Sequence, residues 1–279
     1  MFAEYNKTLD FFNKNFIDYF GHENEFSEIL NYSIKEGKRI RPIILIEIAK
    51  MLSYGNLKNG VLEYAIALEL IHNYSLIHDD LPCMDDDDYR RGRLTVHKKF
   101  GESMAVLAGD ALLNKAYELI FNQLSNLKNK DDIYFASKAG KAISDYSGIR
   151  GMIGGQVIDC LEASKDGQEV LDMYKKKTGG LIMAACMAGA YLSNSDDGVI
   201  EDMKELGYYI GLCFQLQDDL LDLDEDTENG KITYGYYEGE EETRELINTY
   251  SKNAIDILNR YEGNEFLIKL VRYLIGREY

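Results

Sequence analysis

Six carboxylates stand within ten residues of this chain: Asp79 and Asp80, then, after Leu-Pro-Cys-Met, Asp85, Asp86, Asp87 and Asp88. Acids this dense repel one another unless a cation lies among them. A small set of oxygen ligands that leaves room for further oxygens suits Mg²⁺. The plain alternative is a solvated acidic loop. A calcium loop counted from Asp85 fails, because Arg90 falls where glycine is needed and Val96 where glutamate is needed. Arg90-Arg91-Gly92-Arg93 follows directly. Guanidinium forks beside metal-binding acids suit a diphosphate held by cation on one side and arginine on the other. The competing reading is local ion pairing of these arginines with Asp86–Asp88.

A second cluster lies in Phe214-Gln215-Leu216-Gln217-Asp218-Asp219-Leu220-Leu221-Asp222. Asp218 and Asp222 are four apart and share one helix face, with Gln215 a turn earlier. Phe214, Leu216, Leu220 and Leu221 predict that this helix is largely buried. Buried carboxylates must be paired or bind metal, and no basic residue stands within a turn or two. Metal is the better explanation, and two such clusters weigh more than either alone.

The elements that must position these acids read as helices. Apolar residues recur at helical spacing, alternating strand patterns are scarce, and only two residues are proline. The spacing predicts an all-α fold with helices over 2–20 and 24–36, from Pro42 to Leu52, and over 60–80, the last ended by Leu81-Pro82. Further helices are expected over 102–124, 131–147, 168–193 and 197–224, with two more after 240. Residues 224–239 read as the mobile loop. With 46% hydrophobic residues and no segment resembling a linker, the chain is expected to form one domain over 1–279.

A net charge of −17 argues against nucleic acid, since the chain would repel a phosphate backbone. The first twenty residues carry Asp, Glu and Lys throughout and do not read as a secretory signal. The longest apolar stretch, 179–192, is too short to span a bilayer, and its small residues predict a closely packed core helix. Cys83, Cys160, Cys186 and Cys213 lack metal or disulfide spacing, which predicts a reduced, cytoplasmic protein.

The order of motifs resembles the trans-prenyltransferases of the farnesyl diphosphate synthase type over almost the whole chain. Gly37-Lys38-Arg39-Ile40-Arg41-Pro42 is similar to that family's first diphosphate-binding motif. Ile71 to Pro82, running on through Asp85, Asp88 and Arg90-Arg91-Gly92, resembles its first aspartate-rich region in the bacterial form. Thr95, His97, Phe100-Gly101 and Ala108-Gly109-Asp110-Ala111-Leu112-Leu113 continue the match. Gly155-Gln156, Asp159, Lys177-Thr178-Gly179 and Phe214 to Asp222 follow in the family's order.

The resemblance implies an isoprenoid synthase fold, a bundle of about ten core helices around a central cavity, usually a homodimer, with the two aspartate helices facing across its mouth. It implies about three Mg²⁺ ions, held mainly by Asp79, Asp85 and Asp218 with Asp80, Asp219 and Asp222 in support. Arg90, Lys177 and Lys231 are implied to hold the allylic diphosphate. Lys38, Arg41, His72 and Arg91 are implied to hold isopentenyl diphosphate, with Phe214 and Gln215 nearby. The Lys177–Thr178 backbone and the Gln215 amide are implied to steady an allylic cation. By themselves, His72 would read as a packed core histidine and Lys38-Arg39 as a solvated pair; His78 and His97 are left unassigned.

Product length depends on what floors the cavity. Tyr74, five residues before Asp79, lies about one and a half turns deeper, and its ring is expected to stop a chain of fifteen carbons; small Ser75 beside it keeps ten or twenty carbons open. After the second cluster the family usually has Gly-Lys, a loop with a further lysine, then Thr-Tyr-Pro. Here Gly230-Lys231-Ile232-Thr233-Tyr234 runs these together. The competitors are a metal-dependent phosphohydrolase, which would want histidine ligands, a terpene cyclase, whose second site mixes Asn, Ser and Glu, and a non-catalytic partner subunit, which tends to lose one cluster.

Overall fold

The computed structural model describes residues 2–58, 60–161, 164–221 and 233–276. The chain divides into two units, Met1–Ile43 with Asn59–Lys130 and Ile44–Lys58 with Asp131–Tyr279. The first holds α1 (Ala3–Phe16), α2 (Glu25–Ile34), α4 (Val61–Asp79), a hairpin of β1 (Tyr89–Arg90) and β2 (Arg93–Leu94), α5 (Val96–Phe100) and α6 (Glu102–Asn126). The helix α3 (Ile40–Leu52) contributes its first residues to this unit and the rest to the second. The second unit adds α7 (Lys130–Ser147), α8 (Met152–Cys160), α9 (Gly167–Tyr174), a π turn (Lys175–Gly179), α10 (Gly180–Leu192) and α11 (Asp197–Leu221). It ends with α12 (Tyr234–Glu238), α13 (Glu240–Leu258) and α14 (Glu265–Ile275).

In the first unit α4 is apolar on nearly every face, from Val61 through Ala65, Leu68 and Ile71 to Ile77, so it can only be a buried helix. It packs most extensively along α6, which offers Ala105, Ala108, Leu112 and Ala116. In the second unit α10 carries the small residues noted in the sequence. A Cβ at Gly189 would meet the Leu45 carbonyl at 2.7 Å, and one at Gly207 of α11 would meet Met183 Cα at 2.6 Å. These helices therefore approach backbone to backbone. Val170, Tyr174, Leu212, Leu216 and Ile247 close a second apolar cluster among α9, α11 and α13.

The all-α expectation holds, and most helices lie where periodicity puts them. The departures have local causes. The first helix ends at Phe16 because Asp18 takes φ 56°, which no helix residue adopts. The helix α8 lies outside the expected set, its Gly-rich sequence, Met152-Ile-Gly-Gly-Gln, masking the helical period. The expected helix over 168–193 is one run interrupted by the π turn. The expected loop over 224–239 is corrected in its last part, where Thr233 caps α12 by accepting from the Tyr236 N–H. Residues 224–232 lie outside the described residues.

A buried ion pair ties the start of α3 to α4. Arg39, which outside its motif would read as half of a solvated pair, is 2% exposed and donates to Glu69 Oε1 at 3.0 Å. It also donates to the carbonyls of Ile34 and Glu36, and its guanidinium lies 4.9 Å from the Phe16 ring centre. Removing one partner strands the other charge away from water. Glu69→Ala is expected to lower stability by about 3–5 kcal/mol, read as a lower urea midpoint with an unchanged m value.

Candidate active site

Helix α4 ends on the first aspartate pair. Asp80 caps it, its N–H donating to the Leu76 carbonyl at 3.1 Å. The chain then reverses: Asp85 N–H donates to the Asp79 carbonyl at 2.9 Å, and Asp86 N–H to that of Leu81 at 3.1 Å. Asp86 holds φ 54° to complete the reversal. Asp79 and Asp85 are thus neighbours through the backbone, while Asp85 to Asp88 are exposed and Asp79 half-buried. Asp80 is different. It is 4% exposed and takes a bond from Arg90 Nε at 2.5 Å. Burial pushes its carboxyl above the ordinary range, and the Arg90 charge opposes that shift. Arg90 also reaches Asp87 at 3.3 Å, so local ion pairing is real for this arginine.

Basic residues gather on the same unit. Arg41 Nη1 lies 3.3 Å from His72 Nε2. Arg91, at φ 54°, donates to the Glu36 carbonyl. A Cβ at Gly37 would come within 2.6 Å of Arg91 Nη1 and 2.8 Å of Arg39 Nη1, and Gly37 takes φ 152°, so glycine is needed there. The Lys38 side chain is exposed, while its carbonyl accepts from the buried Tyr5 hydroxyl. Burial, followed by the charges of Arg41, Arg91, Arg39 and Arg90, holds His72 well below its usual value. On a chain of net charge −17, these arginines form a locally positive patch that adds to the effect of burial on His72.

Below these groups, Tyr74 is 6% exposed, and its hydroxyl has no hydrogen-bond partner among the described residues. Burial pushes it up to about 12, Tyr117 and Asp79 adding to the shift. Its ring meets that of His78 edge to face, with 5.8 Å between centres. His78 in turn fills the space left by Gly109, where a Cβ would come within 2.1 Å of Nε2. Ser75 donates to the His72 carbonyl at 3.0 Å and turns back along its own helix.

The second unit holds the other residues. Thr178 Oγ1 donates to Gln215 Oε1 at 2.8 Å, and Gln215 Nε2 donates to Asp219 Oδ1 at 3.1 Å. Tyr174 donates to Asp219 Oδ2 at 2.6 Å, and Asp219 is 2% exposed. Burial, then the Asp219 charge, raises the Tyr174 hydroxyl far above its ordinary value. Asp218 and Phe214 are half-buried on the same helix. Lys177 pairs with Asp159, and a Cβ at Gly155 would sit 2.3 Å from the Lys177 nitrogen, so α8 must lie directly on the π turn. At Gly211 a Cβ would meet Gly179 Cα at 2.6 Å. A π turn widens the helix and is a frequent mark of a functional segment. Here it carries both Lys177 and Thr178.

The site residues fall into two groups, one on each unit, and Asp222 and Lys231 lie outside the described residues. The sequence reading missed Tyr174 as the partner of Asp219. No local signal points to it, beyond the rule that a buried phenol needs an acceptor. Gly155 and Asp159 were read as motif positions without a role; the one is needed for close approach and the other pairs with Lys177.

The family model described as Polyprenyl synthetase matches residues 23–241. A farnesyl diphosphate synthase of Micrococcus luteus is 38% identical over 270 residues, covering 91% of this chain and 90% of its own length. A farnesyl diphosphate synthase of Bacillus subtilis (strain 168) is 37% identical over 240 residues, covering 80% and 78%. The apo crystal structure of an FPP/GFPP synthase from Zymomonas mobilis superposes with a TM-score of 0.86 at 31% identity, covering 98% of this chain and 99% of that one. The chain, almost wholly helical and carrying paired aspartates and an arginine cluster, has the isoprenoid synthase fold and belongs to the polyprenyl synthetase family.

Proposed function

We propose that this chain is a short-chain isoprenyl diphosphate synthase that condenses isopentenyl diphosphate with dimethylallyl and geranyl diphosphates to give farnesyl diphosphate and free diphosphate. The observation that carries the reading is the gathering of Arg41, Arg91 and Arg39 around His72 and Gly37 on an otherwise strongly acidic chain. Such a patch asks for a multiply charged anion. The relatives named farnesyl diphosphate synthase support the choice of substrates.

Asp79, Asp85 and Asp218 are assigned as the metal-holding carboxylates, with Asp80, Asp219 and Asp222 behind them. The donors are all oxygen, and the backbone bond between Asp85 and Asp79 sets two of these residues together, which fits Mg²⁺. Bound Mg²⁺, in about three copies, supplies Lewis-acid assistance to the departure of the allylic diphosphate. Arg90, Lys177 and Lys231 are assigned to that diphosphate. Lys38, Arg41, His72 and Arg91 are assigned to isopentenyl diphosphate. The neutral His72 gains a proton when the anion binds, so one group adds both a donor and a charge. Gln215, fixed by Thr178 and Asp219, offers its amide oxygen to the allylic cation together with the carbonyls of the π turn. No side chain is assigned as base; the departing diphosphate takes the proton.

The two units are assigned to one catalytic domain, 1–279, and the protein to a cytoplasmic homodimer. No helix among the described residues is long and apolar enough to cross a membrane. Tyr74 is assigned as the floor that stops growth at fifteen carbons, with Ser75 beside it; a geranyl or geranylgeranyl product is the alternative within the family.

Purified protein given Mg²⁺, labelled isopentenyl diphosphate and five- or ten-carbon primers is expected to yield a fifteen-carbon alcohol after dephosphorylation, and none in EDTA. Tyr74→Ala is expected to shift the product to twenty carbons. Failure to elongate any primer would turn the reading toward a partner subunit, and an unchanged product from Tyr74→Ala would remove the floor.

His72 is expected to titrate below the ordinary value of about 6.5 in proton NMR of its Cε1–H, and to move upward when inorganic diphosphate is added. In the free protein the unfolded chain takes up this proton first, so the group subtracts stability as pH falls below its unfolded value. A resonance indifferent to diphosphate would detach His72 from the anion site.

A further inference from the structure

The sequence left His97 unassigned, and its surroundings are those of a metal ligand. It is 6% exposed, and its Nε2 is buried with no hydrogen-bond partner among the described residues. Its Nδ1 lies 3.1 Å from Thr95 Oγ1, and Thr95 Oγ1 donates its single proton to the Asp87 carbonyl at 2.8 Å. In the tautomer in which Thr95 Oγ1 accepts from His97, the proton sits on Nδ1 and Nε2 offers its lone pair. An imidazole fixed in this way, one nitrogen donating to the protein and the other bare, is how metal-ligating histidines are held. One carboxylate oxygen each from Asp86 and Asp88 lies with a His97 ring nitrogen so that all three atoms are within 4.8 Å of one another.

The backbone fixes this group before any ion arrives. Asp86 is held at φ 54° by the bond from its N–H to the Leu81 carbonyl, and Thr95 N–H donates to the Asp88 carbonyl at 3.0 Å. Lys98 Nζ meets Asp88 Oδ1 at 2.7 Å and acts as a resident counter-charge that an entering cation displaces.

We propose that Asp86, Asp88 and His97 form a second divalent-cation site, separate from the Asp79–Asp85 carboxylates and selective for a nitrogen-accepting ion of the Mn²⁺, Co²⁺ or Zn²⁺ class. One imidazole with two carboxylates favours such ions over Mg²⁺, which prefers oxygen alone. The ion ties the turn after Asp85 to α5 across the hairpin that carries Arg90, so it stiffens the segment presenting the arginines.

The test uses the full chain with Asp79→Asn, Asp85→Asn and Asp218→Asn, which removes the catalytic carboxylates and with them any dependence on the assigned reaction. Mn²⁺ is titrated and followed by the loss of its free-ion EPR signal, with ¹⁴N modulation of the bound signal reporting imidazole. The expected result is one bound Mn²⁺ with nitrogen coupling that Zn²⁺ competes away and equimolar Mg²⁺ does not. His97→Gln in this background is expected to weaken binding about tenfold or more and abolish the coupling. Asp86→Asn, at an exposed position, is expected to weaken binding with folding intact, and Lys98→Met to tighten it. Absence of bound Mn²⁺, or bound Mn²⁺ without nitrogen coupling, overturns the proposal, as does affinity unchanged by both His97→Gln and Asp86→Asn.

Discussion

Adjacent carboxylates cannot share a site unless something relieves their repulsion, and the rest of this structure follows from how that is done. In Asp79-Asp80 and in Asp218-Asp219 the second member is buried and held by the protein while the first is half-buried. Asp80 is held by Arg90, and Asp219 by Tyr174 and Gln215. Each buried acid is held in place by a partner from another part of its unit. The same bonds place the groups around them, since Arg90 sets the hairpin and Gln215 carries Thr178 on the π turn. Removing either acid would release a helix end or a turn, besides a charge.

The chain's overall charge makes the arginine cluster informative. Arg39 is spent on the interior, locked to Glu69, yet still contributes to the positive potential at His72. Arg90 serves twice, as counter-ion to Asp80 and as a cation of the patch.

The aspartates, the arginine run and nearly all the helices were legible in the sequence, because periodicity and local spacing encode them. The two-residue strands, α8 and the π turn were not. Short strands carry no period. In α8 the adjacent Gly154 and Gly155 leave two side chains out of a nine-residue helix, too few remaining to mark an apolar face. A π turn is set by the helices that press on it. Gly155 and Gly211 fix that turn by contacts 22 and 32 residues away, at Lys177 and Gly179. The burial of Arg39 was not legible for a related reason: its partner, Glu69, lies thirty residues on, so the motif around it shows a charge but not its burial. Tyr174 likewise gains its meaning only from Asp219, forty-five residues later.

The π turn has a consequence for how this fold can change over evolutionary time. Relative to a continuous α-helix it behaves as about one added residue, worth roughly 100° of rotation. Loss of a single codon within 175–179 would let α9 and α10 fuse into one regular helix, with its apolar residues re-registered by a fraction of a turn. The resulting lineage would keep its helices and its motifs in recognisable order, but Lys177 and Thr178 would no longer stand where Asp159 and Gln215 meet them. The contacts would be lost by a phase error, and a comparison of motifs alone would not register it.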